Sequence, residues 1–252
     1  MFDLQNKVAV ITGGNGGIGF GMAQGLATAG ARIVIAARNA AKSAAAVELL
    51  QSSGAQALAI EVDVTSEDSV ARLFEQANAR CGHVDILINN AGINIRKPVQ
   101  SLALEEWQQV VTTNLDSAFL CCRAAYPHMK SAGGGKIINI GSMLSIFGAG
   151  FAPAYGASKG GIVQLTKSLA TAWAADNIQV NVVLPGWVNT DLTRKARVEV
   201  DGLHERVLER TPARRWGEPA DFAGTAIFLS SAASNFITGV AIPVDGGYSS
   251  QA

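Results

Sequence analysis

Tyr155 and Lys159 stand four residues apart in a stretch, residues 155–175, that reads as helix, so a phenol and an ammonium share one face. A free phenol has a pKa of about 10, too high for a base at neutral pH. A neighbouring ammonium favours the tyrosinate, which would make Tyr155 a usable proton donor or acceptor. Ser142 follows the apolar run 136–140, where its hydroxyl can hydrogen-bond a carbonyl or alcohol oxygen beside the tyrosine. At the other end of the chain, an apolar run leads into Thr12-Gly13-Gly14-Asn15-Gly16-Gly17-Ile18-Gly19 and then a helical pattern. Glycines after a strand let backbone N–H groups and a helix N-terminus approach a pyrophosphate. The spacing is Gly-x-x-x-Gly-x-Gly, not the commoner Gly-x-Gly-x-x-Gly. About 20 residues past such a loop, a site for a ribose diol carries an acid. Here the second run ends Ala36-Ala37-Arg38-Asn39. The guanidinium of Arg38 stands where a 2′-phosphate would lie, so the pattern predicts NADP(H) over NAD(H).

Positioning these residues needs strands that end on one side. Short β-branched runs occupy residues 8–11, 33–36, 58–62, 84–88, 136–140, 180–184 and 240–244. Most are continuously apolar, as parallel strands covered on both faces must be. Helical patterns lie between them. In 66–80, Val70, Leu73, Phe74 and Ala77 recur at i, i+3, i+4 and i+7, with Thr65 and Asp68 in front as a capping box. A further helix is expected over 105–122. Strand–helix alternation predicts an α/β fold of the Rossmann type: one doubly wound parallel seven-stranded sheet, order 3-2-1-4-5-6-7, flanked by helices. Pro243 cannot donate to a ladder, which puts the last strand at the edge. No linker or repeat interrupts the pattern, so residues 1–252 are read as a single dinucleotide-binding domain. Two segments exceed a simple crossover, 141–154 and 190–219, and are candidate walls or lids of a site at the carboxyl ends of the strands.

Composition excludes several classes. The 20 Lys+Arg balance the 20 Asp+Glu among 252 residues, so no field favours nucleic acid or an anionic membrane. Apolar residues make 48%, yet no run reaches the 18 or so of a membrane span. The first residues lack the basic and apolar regions of a signal peptide. Cys81, Cys121 and Cys122 are an odd number with two adjacent, which reads as free thiols and a cytoplasmic protein. Charged residues are only 16%, against about 25% in a typical domain, so much surface is buried in a core or against other subunits. The three histidines, His83, His128 and His204, show no metal-ligand spacing, and no metal is expected.

Thr12-Gly13-x3-Gly17-x-Gly19, Asp63-Val64, Asn89-Asn90-Ala91-Gly92, Asn114, Ser142, Tyr155-x3-Lys159 and Pro185-Gly186-x-Val188-x-Thr190 occur together and in this order. The ordered set resembles the short-chain dehydrogenase/reductase family over essentially the whole chain. The resemblance implies hydride transfer between a nicotinamide and a carbonyl/alcohol pair. Tyr155 would be proton donor or acceptor, Lys159 would also bind the nicotinamide ribose, and Asn114 would hold a water that continues a proton relay. It implies cofactor contacts at Gly13, Asn15, Gly17, Ile18, Gly19, Arg38 and Asn39. Asp63 and Val64 would meet the adenine, and Asn90, Ala91 and Gly92 the adenosine ribose. Pro185, Gly186, Val188 and Thr190 would flank the nicotinamide, whereas Asn89 is as apt to tie strands together. It further implies a homo-oligomer, in all expectation a tetramer, with residues 105–130 and 154–175 as the contact surface.

Within the family, residues 90–98, 142–145, 210–217 and 244–247 resemble gluconate 5-dehydrogenases and 2-dehydro-3-deoxygluconate dehydrogenases, which act on sugar acids. A keto sugar acid is therefore the expected substrate, with Arg96, Met143 and Trp187 beside Ser142 and Tyr155 in its pocket. Two alternatives stay open: a 3-oxoacyl-carrier-protein reductase or broad-specificity ketone reductase, and a non-catalytic dinucleotide-binding regulator. Intact Ser142, Tyr155 and Lys159 speak against the latter.

Overall fold

Each β-branched run forms a strand whose alternate side chains enter two different cores. In β1 (Val8–Thr12), Val8 and Val10 face one core while Ala9 and Ile11 face the other. In β2 (Arg32–Ala37), Val34 and Ala36 separate in the same way from Ile33 and Ile35. Period-two alternation within an unbroken apolar run requires cover on both faces. The other strands are β3 (Ala57–Glu61), β4 (Ile86–Asn89), β5 (Gly135–Ile140), β6 (Ile178–Pro185) and β7 (Ala241–Val244). The computed structural model describes residues 1–251, and Ala252, the last residue of the expected domain, lies outside them. Within these residues the strands form one parallel sheet in the order β3-β2-β1-β4-β5-β6-β7. That is the expected order, with Pro243 on the edge strand β7.

The helices are α1 (Gly17–Thr28), α2 (Ala40–Ser52), α3 (Glu67–Cys81), α4 (Leu104–Val111), α5 (Ser117–Ser131), α6 (Pro153–Trp173), α7 (Asp191–Glu199), α8 (Leu203–Arg210) and α9 (Ala223–Ser230). Met22 and Leu26 of α1, Leu50 of α2 and Leu229 of α9 pack on one face of the sheet. Leu73 and Phe74 of α3, Ala125 and Met129 of α5 and Ala170 of α6 pack on the other. Among the described residues no helix is long and apolar enough to cross a membrane.

Two local expectations are corrected. The cap of α3 is Ser66, whose Oγ accepts from Ser69 N at 3.3 Å. Thr65 is drawn instead to the Asp63 carboxylate, which accepts from its N at 3.0 Å and its Oγ1 at 2.7 Å. The helix expected over 105–122 is divided into α4 and α5 by a wider π turn, Thr112–Asp116. Asn114 lies in that turn, fully buried. Single π turns inserted in helices are common at functional sites.

The order of strands reverses between β1 and β4, and the carboxyl ends of β1, β4, β5 and β6 open on one side. A crevice at such a switch point is where ligands bind in open α/β sheets.

Candidate active site

A cleft of about 440 Å³ runs along these strand ends. Gly16 caps α1 without a side chain, so the first amides of the helix keep their hydrogens for a ligand, and Gly16, Gly17 and Ile18 line the cleft. Asn90 braces the loop from β4: its Nδ2 donates to Thr12 O at 3.1 Å and Gly13 O at 3.0 Å. Thr12 Oγ1 accepts in turn from Asn90 N and Ala91 N. Gly19 permits this packing, since a Cβ there would overlap Asn90 Nδ2 and lie 2.8 Å from its Cγ.

Gly13, Asn15, Asn90, Ala91 and Gly92 line the same cleft, as do Pro185, Gly186, Val188 and Thr190 after β6. Five residues expected at the cofactor lie outside its lining. Gly19 is buried beneath the loop. Arg38 is exposed, and the Asn39 side chain caps α2, accepting from Lys42 N at 2.9 Å. The Asp63 carboxyl is held below its usual range by its hydrogen bonds from Thr65, aided by the Arg38 charge. Val64 is buried in the core on the β3 side. Asn89 ties strands, donating to Asn139 Oδ1 at 2.8 Å.

Sequence reasoning missed Lys42, which lines the cleft and whose Nζ meets the Asp191 carboxylate at 3.2 Å from the opposite rim. A signal was present. Lys42 lies in the first turn of α2, four residues after Arg38, and helical side chains tilt toward the N-terminus, here toward the glycine loop.

Tyr155 and Lys159 emerge from the first turns of α6, and Ser142 follows β5. All three line the cleft. Lys159 is 4% exposed, and burial pushes its ammonium down to about 8. Its Nζ donates to Ile140 O at 2.6 Å and lies 5.7 Å from the Tyr155 ring centre. Burial raises the Tyr155 phenol above its usual value, while a hydrogen bond with Ser142 and the charge of Arg96 act to lower it. This corrects the expectation of a tyrosine acidified by its lysine: the ammonium is bonded to a carbonyl, and desolvation wins. Asn114 is braced on Ile93, accepting from its N at 2.8 Å and donating to its O at 3.0 Å, and it also donates to Ser158 Oγ. A Cβ on Gly92 would lie 3.2 Å from Asn114 Oδ1 and 3.7 Å from Lys159 Nζ, so Gly92 leaves the space between them open.

A second cavity, of about 470 Å³, meets the cleft at Ser142 and Tyr155. Both long segments form its walls: Met143, Leu144 and Phe147 come from 141–154, and Leu192, Arg206 and Arg210 from 190–219. Arg96, Met143 and Trp187 line it, as expected; Arg206, Arg210, Phe147 and Tyr248 were not anticipated. Arg96 donates to the Glu199 carboxylate at 2.7 Å and to Leu192 O at 3.1 Å, which pins α7 over the cavity. Three guanidinium groups line the cavity, and among the described residues no carboxylate does.

The family model described as Enoyl-(Acyl carrier protein) reductase matches residues 13–249. The 2-dehydro-3-deoxy-D-gluconate 5-dehydrogenase of Escherichia coli K12 is 41% identical over 248 residues, 98% of this chain and 97% of that one. The 5-keto-D-gluconate 5-reductase of the same organism is 40% identical, over 98% of this chain and 97% of the relative. Among solved structures, a gluconate 5-dehydrogenase from Burkholderia cenocepacia J2315 in complex with NADP and tartrate superposes with a TM-score of 0.95. It is 40% identical and covers 100% of this chain and 98% of its own. With this near-complete coverage, and with the glycine loop, Ser142, Tyr155 and Lys159 gathered at one crevice, the chain belongs to the short-chain dehydrogenase/reductase family.

Proposed function

We propose that the chain is an NADP(H)-dependent oxidoreductase that interconverts a keto sugar acid and its secondary alcohol. The observation that carries this reading is the junction of two spaces at Ser142 and Tyr155: a glycine-walled cleft on one side, and on the other a cavity with three arginines and no carboxylate in its lining. Such a cavity favours an anionic, polar substrate. The names of the relatives, acting on 2-dehydro-3-deoxy-D-gluconate and 5-keto-D-gluconate, agree with it.

The cleft suits a phosphorylated dinucleotide. It offers uncapped amides at the start of α1, no acid at the end of β2, and positive charge from Arg38 and Lys42 near the adenine end. Three similar structures hold bound NADP. When bound, NADP(H) supplies or accepts the hydride. In the reductive direction, Ser142 Oγ hydrogen-bonds the substrate carbonyl oxygen, and the Tyr155 phenol gives its proton to that oxygen as it becomes an alkoxide. The raised pKa of Tyr155 keeps the phenol protonated before the reaction. Lys159, cationic below about pH 8, stabilises the tyrosinate that results. Asn114, fixed by Ile93, orients a path that returns the proton from solvent through Lys159. Arg96 and Trp187 shape the substrate end and Met143 fills it.

A homotetramer fits this chain through α4, α5 and α6, where Leu104 and Phe119 remain exposed, and free Cys81, Cys121 and Cys122 suit the cytoplasm. The test is kcat/KM with NADPH over 5-keto-D-gluconate, acetoacetyl thioesters and cyclic ketones. The proposal expects the sugar acid to lead; activity confined to thioesters would favour a 3-oxoacyl reductase instead.

A further inference from the structure

We propose that Arg210 is the residue that binds the substrate carboxylate, an inference that rests on the sugar-acid reading above. Of the three guanidinium groups in the cavity, Arg96 is already committed, with Glu199 as its ion partner and Leu192 O as its second acceptor. Both of its terminal nitrogens are engaged, and Glu199 offsets part of its charge. Arg210 is the reverse case. Its guanidinium lies 4.8 Å from the ring centre of Phe147 and 4.5 Å from that of Tyr248, and among the described residues it has no ion-pair or hydrogen-bond partner.

The two rings hold the cation without using its donors. Phe147 and Tyr248 pack edge to face, 6.2 Å apart at 71°, and contacts to an aromatic face attract a guanidinium while leaving its N–H groups free. The mount is fixed on both sides. Phe147 belongs to the wall after β5, with its backbone N bonded to Met143 O at 2.9 Å. Tyr248 follows a turn in which the Asp245 carboxylate accepts from Gly247 N at 2.9 Å and Ser249 N at 2.8 Å. Arg210 thus presents an unused planar donor fork, at a fixed place, to a cavity with no acid in its lining. A carboxylate accepts such a fork through both oxygens, which a lysine ammonium cannot match. Arg206, one turn earlier on α8, adds charge at the same end.

The experiment compares kcat/KM for 5-keto-D-gluconate and for its neutral primary amide, with saturating NADPH, in the wild type, Arg210→Gln and Arg210→Lys. The expected result is a preference for the acid that falls about 10-fold in Arg210→Gln. This is the low end of what a hydrogen bond to a charged group supplies, because Arg210 is exposed. The fall should be carried by KM, and Arg210→Lys should show a smaller fall of the same sign. An acid-active wild type whose preference survives in both variants, or a loss confined to kcat, overturns the role of Arg210 and leaves the functional reading intact. A wild type that reduces neither compound but reduces thioesters or cyclic ketones overturns the functional reading itself. Should Arg210→Gln fail to fold by circular dichroism, Arg210→Lys alone decides, and an unchanged preference there refutes the proposal.

Discussion

Replacing Lys159 with methionine should stabilise the fold while abolishing turnover. A free lysine titrates at about 10.4, and burial lowers Lys159 to about 8. At about 1.36 kcal/mol per unit, the native state disfavours the charged form by about 3 kcal/mol. The unfolded chain holds its proton to higher pH than the folded one. Stability therefore rises with pH between about 8 and 10.4, and the full penalty is present below pH 8. Methionine has a similar length and no charge, so it removes the penalty. It also deprives Ile140 O of the 2.6 Å bond from Nζ, a loss of about 1–2 kcal/mol. The net gain at pH 7 is about 1–2 kcal/mol, roughly 2–8 °C in Tm for a chain of this size. Lys136, also lowered to about 8 by burial, is present in both proteins and cancels. Thermal melts of wild type and Lys159→Met at pH 7 and pH 10 check the reasoning, with the variant ahead at pH 7 and slightly behind wild type at pH 10, where the lost bond outweighs what is left of the penalty. A variant no more stable than wild type at pH 7, or a gap independent of pH, would refute a desolvated cationic Lys159. Function here opposes stability, as is common where an active site buries a charge.

Reductive kcat/KM should be flat below about pH 8 and fall above it as Lys159 loses its proton; a profile that rises across this range contradicts the assigned roles. Gly19→Ala should raise the dissociation constant for NADPH and destabilise by about 1–3 kcal/mol, because the new Cβ displaces Asn90 from the loop. Unchanged affinity by titration would show that the Asn90 brace is dispensable. Lys42→Ala should lower the kcat/KM ratio of NADPH over NADH by about 3- to 10-fold, at the screened end for an exposed ammonium. Ala37→Asp with Arg38→Leu should shift the ratio further toward NADH; an unaltered ratio in both variants would mean that neither cation reads the 2′-phosphate.

Much of the architecture was legible because it is written in local patterns. An unbroken run such as residues 33–36 can be buried on both faces only in a covered parallel sheet, and Pro243 marks an edge by chemistry alone. The Tyr155–Lys159 spacing and the glycine loop likewise need only a helix and a strand–turn–helix. What escaped depends on contacts between distant segments. The π turn at Asn114 answers to Ile93, twenty-one residues away, and no periodicity announces it. Arg210 carries no local signal of its own, since what sets it apart is the pair of distant rings, Phe147 and Tyr248, that close around it. The pKa of Tyr155 was misjudged for a similar reason, since spacing reports a nearby ammonium but says nothing of desolvation. Thr65 yields the cap to Ser66 because its own N–H and hydroxyl are drawn to the Asp63 carboxylate, a strong acceptor.

The central claim is that the Tyr155 phenol protonates the carbonyl oxygen of a keto sugar acid. Single-turnover reduction of 5-keto-D-gluconate by the NADPH-loaded enzyme, followed at the nicotinamide absorbance in wild type and Tyr155→Phe, tests it most directly. The account predicts a rate lower by about 10²- to 10⁴-fold in the variant, with the NADPH dissociation constant within a few-fold of wild type, since phenylalanine keeps the ring and removes only the hydroxyl. A variant that reduces the sugar acid at the wild-type rate would contradict it.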